Sequence, residues 1–285
     1  MMQHIYKPSA GGEALFYTWF TAMHTRVDIA IHGPHTEEGL VSLAHDIVRE
    51  LHRLEALGNF FDPTSELSTV NRLAGIQPVG ISRELYGILQ LCKEAHERTL
   101  GCFDISVCSD GHTPRTLQQV HLSGQEPSVS FAQAGIRLTL SGFLKGYALD
   151  RIRQLLTSAG IANALVNVGN SSILGMGASI QGGGWQPATG ISLHNECLTT
   201  SGNDAPGRAH IVCPQTGTAV AGVGQVSVVT ASGVWGEICS TALFASPEEL
   251  RPQLLESLSE YIISYQSNYH GFECRQAWNC CKEMK

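Results

Sequence analysis

The sequence predicts an α+β fold in which mixed sheets pack against helices. Three observations carry this. Residues 25–32, "TRVDIAIH", alternate apolar and polar as a strand does. Several stretches repeat apolar residues at helical spacing behind their own capping residues. Short β-type runs separated by glycine-rich turns then fill much of 160–231. Strands and helices that are interspersed this way belong to layered α+β architectures. No internal repeat or low-complexity linker divides the chain, so residues 22–267 read as one domain. Residues 1–21 read as an N-terminal extension and 268–285 as a C-terminal tail.

The elements follow in order. Thr36 precedes Glu37 and Glu38, an N-cap with acids in the first turn. Leu40, Leu43, Ala44, Ile47, Val48, Leu51 and Leu54 then mark an apolar helix face. Ser65 can cap a short helix after the Asp62-Pro63 turn. A further helix opens at Ser82, with Leu85, Ile88, Leu89, Cys92, Ala95 and His96 on its stripe. Residues 101–134 read as loop with short strands, 135–140 as a strand and 143–159 as a helix closed by Gly160. "ANALVNVG" and "SSILGMG" read as buried strands, and "QGGGW" at 181 as a loop. "WGEICSTALFA" returns to helical spacing. Another helix starts at Ser246-Pro247, and "YIISYQ" closes the fold as a strand.

Composition narrows the function classes. The formal net charge is −7 with 18 Lys and Arg, which argues against sequence-independent nucleic-acid binding. No apolar run reaches the roughly 20 residues of a membrane-spanning helix. The first twenty residues lack the apolar core of a signal peptide. The nine cysteines form no C-x-x-C motif, and Cys280-Cys281 lie in a polar tail. The expectation is a protein of a reducing compartment, the cytoplasm.

Five polar islands interrupt the apolar pattern. "FFDPTSELSTVN" holds Phe61, Ser65 and Asn71. A capped loop-helix explains Ser65 fully and Asn71 less well. "GCFDISVCS" holds Asp104, for which a surface turn is the plain reading. "LTLSGFLKGYALDRI" sets Lys145 at a helix start between Gly142 and Tyr147. A lysine there either snorkels to water or faces an anion, because the helix dipole opposes it otherwise. "TTSGNDAPGRAHIVCPQTG" holds Ser201, Gly202 and His210, a strand histidine facing solvent or a general base. In "GVWGEICSTALFA", Glu237 and Thr241 are four apart and share a helical face. That pair either supplies a helix-terminal acid or binds a hard cation such as Mg²⁺.

Taken together and in order, these islands resemble the ApbE family of FAD:protein FMN transferases. "AMHTRVDI" resembles its A-M-G-T strand, "DPTSELSTVN" its D-P-x-S-E-x-x-x-x-N segment and "GCFDIS" its G-x-F-D-P-T turn. "GFLKGYALD" resembles its G-x-x-K-G-Y-A-x-D helix. "TTSG", "HIVCPQTG" and "VWGEICSTALF" resemble T-S-G, H-I-x-D-P-x-T-G and A-D-A-x-x-T-A-L. The resemblance runs from about residue 22 to about 246 and implies a T-fold-like flavin transferase architecture. It implies transfer of the FMN half of FAD, with Mg²⁺, to a serine or threonine of an acceptor protein, releasing AMP. By resemblance, Gly142, Glu237 and Thr241 hold the metal, and His210 and Lys145 are catalytic. Phe61, Ser65, Asn71, Asp104, Lys145, Tyr147, Ser201 and Gly202 belong to segments of the FAD site.

The sequence also departs from the pattern. D-L-G-G before the lysine is "TLSG", and G-G-D is Gly169-Asn170-Ser171. Cys213 stands for an acid, Glu237 for an aspartate and His24 for a glycine. Two functions follow: an active transferase, or a diverged member that binds a flavin nucleotide or a protein partner without catalysis.

Overall fold

The computed structural model describes residues 2–8, 12–187, 190–205 and 209–268, and the backbone of 274–277. The chain opens with three strands: β1 (Gln3–Pro8), β2 (Ala14–Ala22) and β3 (Thr25–Gly33). Helices α1 (Glu37–Gly58) and α2 (Glu66–Leu73) follow. After β4 (Val79–Gly80) and α3 (Arg83–Arg98) come β5 (Val120–Ser123) and β6 (Ser128–Phe131). Next are α4 (Leu144–Ser158), β7 (Ala164–Val168), β8 (Ser172–Met176) and β9 (Glu196–Asn203). A small hairpin, β10 (Val212–Cys213) and β11 (Thr218–Ala219), leads to β12 (Gly224–Thr230). The described chain closes with α5 (Gly233–Ala245), α6 (Arg251–Ser257), β13 (Ile262–Ser267) and β14 (Cys274–Ala277).

One nine-stranded sheet runs in the order β1-β2-β3-β7-β8-β9-β12-β13-β14, and its described ladders are all antiparallel. The predicted α+β class is therefore the observed one. Helices α1, α4 and α5 lie across one face of this sheet. Val27, Ile29 and Ile31 of β3 point inward by the strand period of two. They meet Leu40, Leu43, Ile47 and Leu51 of α1 and Leu149 and Ile152 of α4 in one apolar core. A second core joins α2, α3, α5 and α6 to the inner side of β12 and β13.

The helix starts lie where the capping residues put them. Thr36, Ser65 and Ser82 each accept a backbone N–H of their own first turn. Gly160 takes the left-handed φ of +76° that ends α4. The helix predicted from Ser246 begins with a 3₁₀ turn at Glu248–Leu250 before α6.

Two segments differ from expectation. Residues 3–8 and 14–22 are built into the sheet, because β2 pairs with β3 over its full length and β1 with β2. Residues 135–140 form no ladder. Their backbone groups go elsewhere: Asn71 Nδ2 donates to the Leu138 carbonyl at 2.8 Å, and Leu138 N–H donates to Asn71 Oδ1 at 2.7 Å. Arg137 N–H donates to Ser109 Oγ and Thr139 N–H to the Ile105 carbonyl. A side-chain amide thus supplies what a neighbouring strand would. No described helix is long and apolar enough to cross a membrane. Cys280 and Cys281 lie outside the described residues.

Candidate functional site

The site forms where α4 and α5 cross above β8 and β9. The crossing is close because both helices carry glycine there. A Cβ on Gly146 would overlap the Gly233 carbonyl and lie 2.7 Å from Glu237 Cγ. Asp150, one turn further along α4, caps α5. Its carboxylate accepts Gly233 N–H at 2.9 Å, Val234 N–H at 3.1 Å and the Ser232 hydroxyl at 2.7 Å. An anion on free helix N–H groups is favourable, so this contact fixes α5 against α4.

The sheet supplies a floor of hydroxyls. Ser172 of β8 stands opposite Thr199 of β9, and Ser201 lies two residues on, facing the same side. All three meet α5. The Ser172 hydroxyl donates to Glu237 Oε1. Thr199 Oγ1 is buried without a partner and lies against Gly236. Ser201 Oγ is 2.8 Å from Ser240 Oγ and 3.2 Å from Thr241 Oγ1. Lys145 Nζ donates to Ser171 Oγ, which lies 3.3 Å from Ser172 Oγ. Gly142 faces the same region, since a Cβ there would be 3.4 Å from Thr241 Oγ1.

The fold therefore gathers Gly142, Lys145, Ser201, Glu237 and Thr241 around the α4–α5 crossing. Gly202 serves the sheet: a Cβ there would overlap the Gly224 carbonyl of β12. Ser65, Asn71, Tyr147 and Asp104 are held by the scaffold. Ser65 is fully buried, caps α2 and donates to the Asn59 carbonyl at 2.7 Å. Asn71 uses its amide on Leu138. Tyr147 stacks on Phe143 and donates to Glu84 at 3.0 Å. Burial, then that hydrogen bond, pushes its phenol up to about 12. Asp104 is buried, with Oδ1 accepting the Ser106 N–H and hydroxyl. Its Oδ2 has no hydrogen-bond partner and faces His96 Nδ1 at 3.8 Å and His112 Nε2 at 4.0 Å. His210 is exposed on the segment between β9 and β10.

Phe61 is 76% exposed and borders a cavity of about 420 Å³ together with His24, His52, Glu55, Ala56, Asn59 and Asp62. His24 holds a φ of 57°, a region that favours the glycine of the family pattern. Its Nε2 is 3.0 Å from Asn59 Nδ2.

The donor set at the crossing suits a hard cation. Glu237 is buried, and with Oε1 taken by Ser172 its Oε2 is left for a ligand. Thr241 Oγ1 is a further oxygen donor on the same helix, and Gly142 lies beside it. A single carboxylate with neutral oxygens is a Mg²⁺-type set when substrate phosphates and waters complete the shell. The described residues contain no cluster of three or more His, Cys, Asp or Glu side chains able to hold a metal.

Ser172, Thr199 and Ser240 are site residues that motif spacing did not single out. Asp150 had a signal, as the final acid of "GFLKGYALD", but no task was attached to it. The hydroxyls had only the period of two, which needs the strand register before it names a face.

The chain resembles known proteins along most of its length. It is 28% identical over 233 residues to an FAD:protein FMN transferase of Treponema pallidum, covering 63% of this chain and 64% of that one. It is 25% identical over 237 residues to an FAD:protein FMN transferase of Klebsiella pneumoniae, covering 71% and 75%. The fold superposes on an ApbE protein from Thermotoga maritima with a TM-score of 0.76 and 20% identity, over 92% of this chain and 96% of that one. Residues 23–263 match the model of the ApbE family, and the chain belongs to that family.

Proposed function

We propose that this protein transfers FMN from FAD to a serine or threonine hydroxyl of an acceptor protein and releases AMP. The observation that carries the reading is the convergence at the α4–α5 crossing. There an ammonium and a buried carboxylate are joined through Ser171 and Ser172, and a threonine hydroxyl stands one turn along α5 in a Ser201–Ser240 group that reaches the Glu237 backbone carbonyl. Phosphoryl transfer needs little covalent help from a protein; it needs phosphates positioned and charge neutralised. The names of the Treponema and Klebsiella relatives support the same chemistry.

Each group has a task in this reading. Glu237, Thr241 and the Gly142 carbonyl would hold Mg²⁺, which neutralises charge on the diphosphate when bound. Lys145 contacts the phosphates with the N–H donors that Ser171 leaves over. His210 takes the proton of the attacking hydroxyl as a general base. Ser201 and Ser240 fix the rotamer of Thr241.

The test is incubation with FAD, Mg²⁺ and a threonine-bearing acceptor, read as flavin fluorescence in a denaturing gel. Labelling is expected with wild type and lost in Glu237→Ala. His210→Ala should keep FAD binding within a few-fold and lose about 10²- to 10⁴-fold in rate. FAD bound but neither cleaved nor transferred would overturn the reading. Hydrolysis to FMN and AMP without labelling would remove its acceptor half.

A further inference from the structure

We infer that Ser171 and Ser172 are positioning residues: they couple Lys145 to Glu237 and hold the lysine without neutralising it. The inference rests on the proposed function and adds two residues to its machinery.

The turn between β7 and β8 aims the pair. Gly169 and Asn170 both take left-handed φ values, 65° and 61°. Asn167 locks the turn through Nδ2 to Asn170 Oδ1 and through Oδ1 from Asn170 N–H, each at 2.9 Å. The Ser171 carbonyl accepts Thr200 N–H at 2.7 Å. Ser171 is therefore fixed half-buried beside Lys145, and Ser172 fully buried beside Glu237.

The direction of the chain follows from its ends. An ammonium only donates and a carboxylate only accepts. Lys145 donates to Ser171, so the Ser171 proton is free to point to Ser172, and the Ser172 proton goes to Glu237. Such a chain polarises along its length and strengthens each link. It pins one oxygen of Glu237 and one proton of Lys145, leaving the other oxygen and two protons for ligands.

The charge count matters as much as the geometry. Ser171 stands at the acid of the family's G-G-D pattern. An aspartate there would pair with Lys145 and cancel its charge. Among the described residues no carboxylate pairs with Lys145, and its recorded partner is the Ser171 hydroxyl. The lysine is oriented and still cationic toward a diphosphate.

Calorimetry on the full chain separates the two halves. For Glu237, Mg²⁺ affinity is measured in wild type, Ser172→Ala and the near-isosteric Ser172→Cys, with thermal unfolding as a check on the fold. A partner that fixes a ligand carboxylate changes metal affinity about 10- to 100-fold. Both variants should lose affinity in that range, while FAD binding without metal stays within a few-fold. For Lys145, FAD affinity without metal is measured in Ser171→Thr and Ser171→Asp. The threonine should match wild type and the aspartate should bind at least about tenfold more weakly, as expected for a cancelled charge. Unchanged Mg²⁺ affinity in both Ser172 variants, or unchanged FAD affinity in Ser171→Asp, overturns the inference. If wild type binds FAD but no Mg²⁺, the metal part of the proposed function fails, and the Ser171→Asp comparison still decides the lysine half. If wild type binds neither, both readings fall.

Discussion

Gly146 of α4 lies directly against the Gly233 carbonyl of α5, with no room for a Cβ between them. The same Cβ would press on Glu237 Cγ at 2.7 Å. Gly146→Ala should therefore separate the helices and move Glu237 at once. Overpacking of this kind costs about 1–3 kcal/mol. A fall of several degrees in thermal midpoint together with loss of FAD turnover is expected. A stable, fully active variant would show that the crossing yields easily.

Asp150 should behave as a structural anion. Three donors at the start of α5 point at its carboxylate. Asp150→Ala leaves them unmet, at about 1–3 kcal/mol. Asp150→Asn keeps an acceptor and should recover part of the loss. Urea unfolding of the three proteins gives the ranking, and equal midpoints would refute it.

Asn71 is the lever on residues 135–140. Asn71→Ala removes both bonds to Leu138 and should cost about 1–3 kcal/mol, since the Leu138 groups are left unpaired. Amide hydrogen exchange at Leu138 should accelerate more than at Leu149 in α4. Equal protection at both positions before and after the substitution would contradict this.

Acid should loosen the packing of α1, α3 and α4. Arg53 bonds Glu50 on its own helix and Glu84 on α3, and Arg151 of α4 reaches Glu50 at 2.7 Å. Arg53 first, with Arg151, holds Glu50 at about 2, below its ordinary 4.5. Arg53 lowers Glu84 as well. A carboxylate depressed in the folded state stabilises above its unfolded pKa, and that stability is lost as pH falls through the folded one. Thermal midpoints should drop between pH 4.5 and 2, and Glu50→Gln should show a shallower drop from a lower starting value. An unaltered acid limb in that variant would remove Glu50 from the account.

The sequence made α1, α2 and α3 legible because each begins with a hydroxyl residue that caps its own turn. It made Glu237 and Thr241 legible because helical spacing alone puts them on one face. The hairpin of β2 and β3 was harder. Its tip is Met23-His24, both at left-handed φ, where the usual signature is Asn-Gly or Asp-Gly. Without that cue, residues 14–22 read as an extension although their inward residues alternate. Residues 135–140 misled in the opposite sense. Ile136, Leu138 and Leu140 are buried in strand-like alternation, but their hydrogen bonds go to Asn71 and to loops. Ser171 was marked by the G-G-D pattern, but Ser172 carried no signal of its own, because only the β8 register shows that it reaches α5.

The pairing of β2 with β3 also governs how the protein can be shortened. Nine residues of β3 pair with β2 on one side, and five of them, 27–31, also pair with β7 on the other. A chain begun at residue 22 would bare the whole β2 side of that strand as an edge. Bared edges recruit other strands, from a second copy as readily as from their own chain. The shortened protein would retain every residue of the α4–α5 crossing and still be prone to self-association, so its insolubility would report a missing edge strand rather than a damaged site.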